Sequence, residues 1–211
     1  MEVRVMKNIM GANEKLAEEL RQYLSEHGIT VVNVMASPGA GKTSVIMKLM
    51  ELSKRRFSVI EGDIASSIDA EKIDAIGVHV VQINTGGECH LDANMIRTVV
   101  SGDKAFDDTI LFIENVGNLI CPSSFDLGEK VKLVVASVPE GHDKPFKYTS
   151  MFSAADVIIL NKMDLMPYIQ FDREAFFKGI AAVNDRVKVF EVSCTTGEGF
   201  EELVKWLEEL N

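Results

Sequence analysis

Seven runs of consecutive apolar and β-branched residues recur along the chain, separated by amphipathic segments. Runs without polar alternation are typical of strands in a parallel sheet, because helices cover both faces of such a sheet. The predicted strands span residues 29–37, 57–63, 78–84, 109–116, 131–138, 156–161 and 187–193. The pattern therefore predicts one sheet that is buried on both faces.

The segments between these runs have the apolar spacing of helices. The predicted helices span residues 13–27, 42–54, 67–76, 92–101, 171–182 and 199–210. Strands that alternate with helices in this way form a three-layer α/β fold, so we predict a mostly parallel seven-stranded sheet. Residues 139–153 lack such a pattern, and we expect an extended loop there.

The length of 211 residues and the apolar fraction of 46% fit a single domain with one core. We expect residues 1–28 to form a helix that packs on a domain spanning residues 29–211. The net charge of −10 disfavours a nucleic-acid partner. No run approaches the roughly 20 apolar residues that span a bilayer, so we expect a cytoplasmic protein without a membrane segment.

A phosphate-binding loop follows the first predicted strand and opens a helix, in the sequence "ASPGAGKT" at residues 36–43. This setting is the one that the P-loop of nucleotide triphosphatases requires, although Ala36 replaces its first glycine. Lys42 is expected to reach the outer phosphates and the Thr43 hydroxyl to bind Mg²⁺, while backbone N–H groups hold phosphate oxygens. The predicted phosphate-binding residues are Gly39, Ala40, Gly41, Lys42, Thr43 and Ser44.

Two later motifs at strand ends predict that the nucleotide is GTP or GDP. The sequence "LNKMDL" contains the pattern Asn-Lys-x-Asp, in which Asp164 can accept hydrogen bonds from guanine N1–H and its exocyclic amine. Adenine offers neither donor at those positions, so a buried Asp164 would stay unpaired with ATP. Asn161 is expected to bridge to the phosphate loop and Lys162 to cover the base. Ser193 and Cys194 are expected beside the base.

Acidic residues at two other strand ends are candidates for the γ-phosphate side of the site. Asp63 can hold Mg²⁺ through water or orient the attacking water, and Glu61 is a second choice. In "IENVGN", Glu114 and Gly117 resemble the Asp-x-x-Gly element of GTPases. No glutamine follows Gly117, which predicts slow intrinsic hydrolysis. For Asp63 and Glu114, the open alternative is that each carboxylate only caps the end of its strand or is solvated.

Two of the three cysteines, Cys89 and Cys121, lie in loops that follow predicted strands at the same edge of the sheet. Cys89 and His90 are adjacent, and Cys121 follows the next strand-end loop, so the three side chains can converge on Zn²⁺ or Ni²⁺. Three ligands leave the set incomplete, and a second copy across a two-fold axis can complete it. The alternative is that Cys89 is a loop residue, His90 caps a helix and Cys121 is buried.

Taken together, these strings resemble the hydrogenase-maturation nickel-insertion GTPase family, HypB. The most specific are "GECHLDA" and "IENVGNLICP", and the likeness runs from about residue 30 to the end. The resemblance implies a P-loop GTPase that forms a GTP-dependent homodimer and carries nickel to the large subunit of [NiFe]-hydrogenase. It also implies a HypA-like zinc-containing partner, with Ni²⁺ or Zn²⁺ bound at Cys89, His90 and Cys121. Residues 1–28 lack the cysteine-rich nickel site of some bacterial members.

Three other functions are compatible with parts of this pattern. A urease-accessory GTPase has similar chemistry, although its usual Cys-Pro-His string is absent here. A signalling or translation-type GTPase with structural cysteines would ignore metal ions. A P-loop kinase would show no guanine preference, which Asn161 and Asp164 argue against.

Overall fold

A single seven-stranded sheet forms the centre of the protein in the computed structural model, which describes residues 4–64 and 67–210. The strand order is β3-β2-β4-β1-β5-β6-β7, and every neighbouring pair is parallel. The strands are β1 (Thr30–Ala36), β2 (Phe57–Asp63), β3 (His79–Asn84), β4 (Ile110–Glu114), β5 (Val131–Ser137), β6 (Val157–Asn161) and β7 (Lys188–Glu191). The predicted α/β fold is confirmed, and the sheet is entirely rather than mostly parallel.

Eight α-helices precede, connect or follow these strands within the described residues. They are α1 (Arg4–Glu26), α2 (Lys42–Leu52), α3 (Ile68–Asp74), α4 (Ala93–Val100), α5 (Lys144–Lys147), α6 (Thr149–Ala154), α7 (Arg173–Val183) and α8 (Phe200–Glu208). Helix α1 begins well before residue 13, where the sequence pattern placed its start. It continues through Gly11, because a glycine in a helix interior costs only about 1 kcal/mol.

The expectation of an extended loop at residues 139–153 was wrong. Helices α5 and α6 occupy most of this segment. Pro145 lies in the first turn of α5, where its missing N–H costs nothing. Met151 and Phe152 of α6 are buried against the sheet. Each helix is too short for its apolar spacing to be recognised in the sequence, and tertiary burial holds both in place.

Alternate side chains of the strands build a separate apolar layer on each face of the sheet. On one face, Val34 packs in a cluster with Leu49 of α2 and Leu203 of α8. On the other face, Val31 packs with Leu20 of α1. Helices α6 and α7 cover the β5 and β6 end of this second face through a third cluster. Burial on both faces explains why the strands appear in the sequence as continuous apolar runs.

The parallel arrangement brings the carboxyl ends of all the strands to one edge of the sheet. In open parallel sheets, ligands bind at this edge. Each motif identified in the sequence follows a strand, so the fold places all of them on the same side. None of the described helices is long and apolar enough to cross a membrane.

Candidate nucleotide and metal site

The phosphate loop connects the end of β1 to the first turn of α2. Gly41 directly precedes the helix with a φ of 101°, a left-handed conformation that favours glycine. A Cβ atom on Gly41 would also lie 2.5 Å from the Nδ2 atom of Asn161. The loop borders a cavity of about 320 Å³, lined by Gly39, Gly41, Lys42, Thr43, Ser44, Met47, Asp69, Lys72, Glu114 and Lys162. The N-terminus of α2 therefore faces a space in which phosphate groups can bind.

The loop after β6 is bonded directly to the phosphate loop. Asn161 Nδ2 donates a hydrogen bond to the carbonyl oxygen of Ala40 at 3.1 Å. Lys162 Nζ donates to the carbonyl oxygen of Gly39 at 2.6 Å. These two hydrogen bonds hold the loop after β6 and the phosphate loop in one relative position.

The loop after β7 orients the carboxylate that is expected to select guanine. Ser193 Oγ donates a hydrogen bond to Asp164 Oδ1 at 2.6 Å. Cys194 Sγ lies 3.4 Å from Asn161 Oδ1, and burial raises the pKa of this thiol to about 11. Cys194 therefore ionises less readily than an ordinary thiol and is a poor metal ligand. Its contact with Asn161 is that of a residue packed in the loop after β7.

Two buried glutamates lie side by side at the phosphate end of the sheet. Glu61 of β2 pairs in register with Glu114 of β4, and each is only 3% exposed. Glu114 Oε1 accepts a hydrogen bond from Thr43 Oγ1 at 2.9 Å and lies 3.8 Å from Lys42 Nζ. The Oε2 atoms of both glutamates are buried and have no hydrogen-bond partner among the residues that the structure describes. Two unpartnered carboxylate oxygens beside a threonine hydroxyl fit a hydrated Mg²⁺ ion.

Burial changes the ionisation of this pair. Burial, and then the negative charge of Glu114, raise the pKa of Glu61 to about 8. Burial also raises the pKa of Glu114, while Lys42 and the hydroxyl of Thr43 oppose the change. A bound cation would favour the ionised form of both residues.

Glu61 lies deeper in the phosphate end of the sheet than Asp63, which the motif pattern favoured as the residue that holds Mg²⁺. Asp63 ends β2 and is less buried, and its carbonyl oxygen accepts a hydrogen bond from the N–H of Thr85, after β3. Gly117 lies against the phosphate loop, since a Cβ atom there would lie 3.0 Å from Pro38 Cγ. The structure therefore brings Asp63, Glu114 and Gly117 to the predicted edge and adds Glu61 to them.

The protonation of Glu61 predicts how stability depends on pH in the absence of metal. Folded protein keeps this proton up to a pH of about 8, whereas the unfolded chain releases it near 4.5. Between these values the folded state binds more protons, so its stability decreases as the pH rises. Glu61→Gln cannot ionise and should remove about 2 to 4 kcal/mol of this decrease between about pH 5 and about pH 8.

Urea denaturation in the presence of a chelator measures this effect at both pH values. Glu71→Gln, at an exposed position of α3, is the control and should keep the wild-type dependence on pH. If Glu61→Gln also keeps that dependence, Glu61 is ionised in the folded protein without metal.

The three candidate metal ligands meet on the surface beside the nucleotide edge. One ligand atom each from Cys89, His90 and Cys121 lies within 4.8 Å of the others, and all three residues are half-buried. A hydrogen bond with Cys121 raises the pKa of the Cys89 thiol. Two thiols and an imidazole are a suitable donor set for Zn²⁺ or Ni²⁺, which would displace the thiol protons.

Neighbouring residues fix the conformation of this cluster. The His90 ring stacks on Phe125 with 3.7 Å between centroids. Asn118 Nδ2 donates to the carbonyl oxygen of Cys89 at 3.4 Å, which joins the Cys89 loop to the segment that leads to Cys121. The capping alternative for His90 was wrong, because the side chain of Asp92 caps α4. Cys121 is half-buried at the start of a 3₁₀ turn, so the fully buried alternative was wrong as well.

Some residues at this edge were not recognised from the sequence. Asp69 and Lys72 of α3 line the phosphate cavity, but nothing in a surface helix marks them as different from solvated charges. Glu140 contacts Ser37 of the phosphate loop and accepts a hydrogen bond from Ser137 at 2.7 Å. Asn33, in the middle of β1, could have been noticed in the sequence, because a buried polar residue within an apolar strand needs a hydrogen-bond partner.

Comparison with known proteins identifies the family. A sequence model of the CobW/HypB/UreG nucleotide-binding domain matches residues 30–191. The hydrogenase maturation factor HypB of Azotobacter chroococcum mcd 1 is 46% identical over 208 residues, covering 98% of this chain and 68% of that protein. The chain belongs to the HypB family. The resemblance noted from the motifs is therefore confirmed.

Solved structures of HypB proteins share the fold described here. HypB from Helicobacter pylori, solved in complex with nickel, is 35% identical with a TM-score of 0.88 and covers 94% of each chain. HypB from Archaeoglobus fulgidus is 39% identical with a TM-score of 0.88, covering 95% of this chain and 100% of that one. This chain therefore shares its fold with solved HypB proteins, and the matching family model describes a nucleotide-binding domain.

Proposed function

We propose that this protein is a GTP-hydrolysing nickel chaperone that assists nickel insertion during [NiFe]-hydrogenase maturation. The observation that carries the proposal is the cluster of Cys89, His90 and Cys121 within 4.8 Å, on the same sheet edge as the phosphate loop. The names of its HypB relatives, and the nickel complex of one of them, support the metal and the pathway. Nickel is the cargo in this proposal, and Zn²⁺ is a second metal that the ligands suit.

The roles of the nucleotide-site residues follow from their contacts. The backbone from Gly39 to Ser44 and the Lys42 ammonium hold the phosphates, and Asn161, Lys162 and Asp164 hold guanine, with Ser193 and Cys194 beside the base. The residues that would hold Mg²⁺, directly or through water, are Thr43, Asp63 and Glu61. A bound Mg²⁺ would supply charge compensation for the phosphates.

Hydrolysis needs a water molecule positioned in line with the γ-phosphate. Glu114 lies nearest the phosphate loop, through Thr43 and Lys42, and is the candidate for orienting that water together with the Gly117 N–H. Burial raises the pKa of Glu114, and only the ionised carboxylate can accept a proton from that water. No glutamine follows Gly117 to orient the water, so we expect slow intrinsic hydrolysis of GTP to GDP and phosphate.

A homodimer completes the metal site in this proposal. Each copy supplies three ligands, and two copies across a two-fold axis place two such sets together.

The proposed protein partners, in the cytoplasm, are a HypA-like zinc-containing nickel chaperone and the hydrogenase large subunit. In this proposal residues 29–211 are the GTPase domain and residues 1–28 its N-terminal helix, of which the structure describes Arg4–Glu26, while residues 1–3 and 211 lie outside the described part of the chain.

Sedimentation velocity tests the proposed function. Wild-type protein is measured without metal and with Ni²⁺ or Zn²⁺, each combined with GDP or a non-hydrolysable GTP analogue. We expect metal to promote dimerisation of the wild type, nucleotide to change the extent, and Cys89→Ala to remove the effect of metal. If the wild type ignores metal in every nucleotide state, a plain GTPase switch with structural cysteines is the better account.

A further inference from the structure

Asn115 lies between the nucleotide and metal parts of the sheet edge. It follows Glu114 at the end of β4, and the residue is 1% exposed. Its Oδ1 atom accepts hydrogen bonds from the N–H of Val116 at 3.0 Å and of Leu91 at 3.3 Å. Because Leu91 and Val116 belong to different loops, this one buried side chain holds the two loops together.

Each of the two loops carries part of the proposed site. Leu91 directly follows His90, so its backbone N–H is one peptide unit from a candidate metal ligand. Val116 lies in the segment that begins at Glu114 and leads to Cys121. Glu114 in turn accepts a hydrogen bond from Thr43 of the phosphate loop. A continuous path of bonded groups therefore runs from the phosphate loop to both sides of the metal cluster.

The other end of the Asn115 side chain is anchored in the sheet. Asn115 Nδ2 donates to Asn33 Oδ1 at 3.1 Å, and Asn33 Nδ2 donates to Glu129 Oε1 at 3.2 Å. All three residues are buried. Buried amides must satisfy their hydrogen-bonding groups, so such a network has one preferred geometry and resists partial rearrangement. Asn115 cannot move with Glu114 without affecting the Leu91 contact.

We propose that Asn115 is the positioning residue through which the bound nucleotide changes the affinity of Cys89, His90 and Cys121 for metal. The proposal rests on the proposed function, because it requires that both ligands bind. A change in the contacts of Glu114 when the γ-phosphate and Mg²⁺ are present or absent shifts Asn115, and Asn115 shifts the backbone beside His90. The coupling is reciprocal, so metal changes nucleotide affinity by the same factor.

The test is the nickel dissociation constant in two nucleotide states. Ni²⁺ is titrated in competition with a chromophoric chelator, under reducing conditions, into protein loaded with GDP or with a non-hydrolysable GTP analogue. For the wild type we expect the two constants to differ by at least about fivefold. For Asn115→Ala we expect the ratio to fall to about one, with nickel still bound in both states. A simple loss of affinity would leave the ratio unchanged.

A second variant tests the same connection at a half-buried position, where folding is less at risk. Asn118→Ala removes the hydrogen bond to the carbonyl oxygen of Cys89 and should reduce the ratio. Asn13→Ala is the matched control. Asn13 is a buried amide that accepts from the N–H of Ala93 at 2.9 Å and donates to the carbonyl oxygen of Asp126 at 2.8 Å. From α1 it supports the start of α4, which follows the Cys89 loop. Among the described residues, these hydrogen bonds reach none that lines the phosphate cavity, so the variant should keep the wild-type ratio.

The possible failures are distinguishable. A wild type that binds no nickel overturns the proposed function. A wild type that binds nickel with equal affinity in both nucleotide states overturns the inference, since no coupling exists for Asn115 to carry. If Asn115→Ala keeps the wild-type ratio, whatever Asn118→Ala does, or if Asn13→Ala loses the ratio equally, Asn115 has only a structural role.

Discussion

Asp164→Asn should weaken GTP binding by on the order of 10³-fold, because it removes the two charge-assisted hydrogen bonds that we propose Asp164 accepts from guanine. Xanthine carries a carbonyl oxygen where guanine carries the amine. The asparagine amide can donate to that oxygen while its own oxygen accepts from N1–H. We therefore expect the variant to bind xanthosine triphosphate more tightly than GTP, measured with fluorescent analogues of both nucleotides.

Ser193→Ala is the matched variant for this experiment. It removes the 2.6 Å hydrogen bond that orients Asp164 but leaves the carboxylate in place. It should weaken GTP binding by about tenfold and keep the preference for guanine over xanthine. If Asp164→Asn keeps the guanine preference, Asp164 does not contact the base. If the wild type binds ATP as well as GTP, the protein is closer to a P-loop kinase.

Cys121→Ser should reduce affinity for Ni²⁺ and Zn²⁺ by at least about 100-fold. Loss of a residue that only orients a ligand costs 10- to 100-fold in metal affinity, and Cys121 is expected to be a ligand itself. A serine hydroxyl is a poor substitute, because these metals favour thiolate and imidazole. Competition with a chromophoric chelator under reducing conditions measures the change, without nucleotide.

Cys194→Ser is the control for the loss of a thiol. Cys194 packs beside Asn161 in the base loop, and burial raises its pKa to about 11, so it should contribute nothing to metal affinity. Equal losses in the two variants would mean that metal binds nonspecifically to thiols. An unchanged affinity in Cys121→Ser would remove Cys121 from the ligand set.

The sheet and the order of its motifs were predictable from the sequence, because each apolar run and each motif consists of residues that are close together in the chain. A run such as residues 131–138 is apolar at nearly every position, as burial on both faces requires. The phosphate loop and the Asn-Lys-x-Asp motif are short strings whose chemistry depends on their own residues and on the strand that precedes them. Short helices such as α5 and α6 were missed, since they depend on burial rather than on propensity.

The sequence by itself determined that this protein has an α/β P-loop fold with guanine-type motifs, and that Cys89, His90 and Cys121 follow strand ends. Only the tertiary structure decided which of those residues meet. Strands β3 and β4 are separated by β2 in the sheet, yet the loops after them bring Cys89 and Cys121 together. The register of β2 with β4 pairs Glu61 with Glu114, and buried hydrogen bonds join Asn115 to Leu91 and Asn33. Strand order, register and buried hydrogen bonds all depend on residues distant in the chain, so no local pattern in the sequence records them.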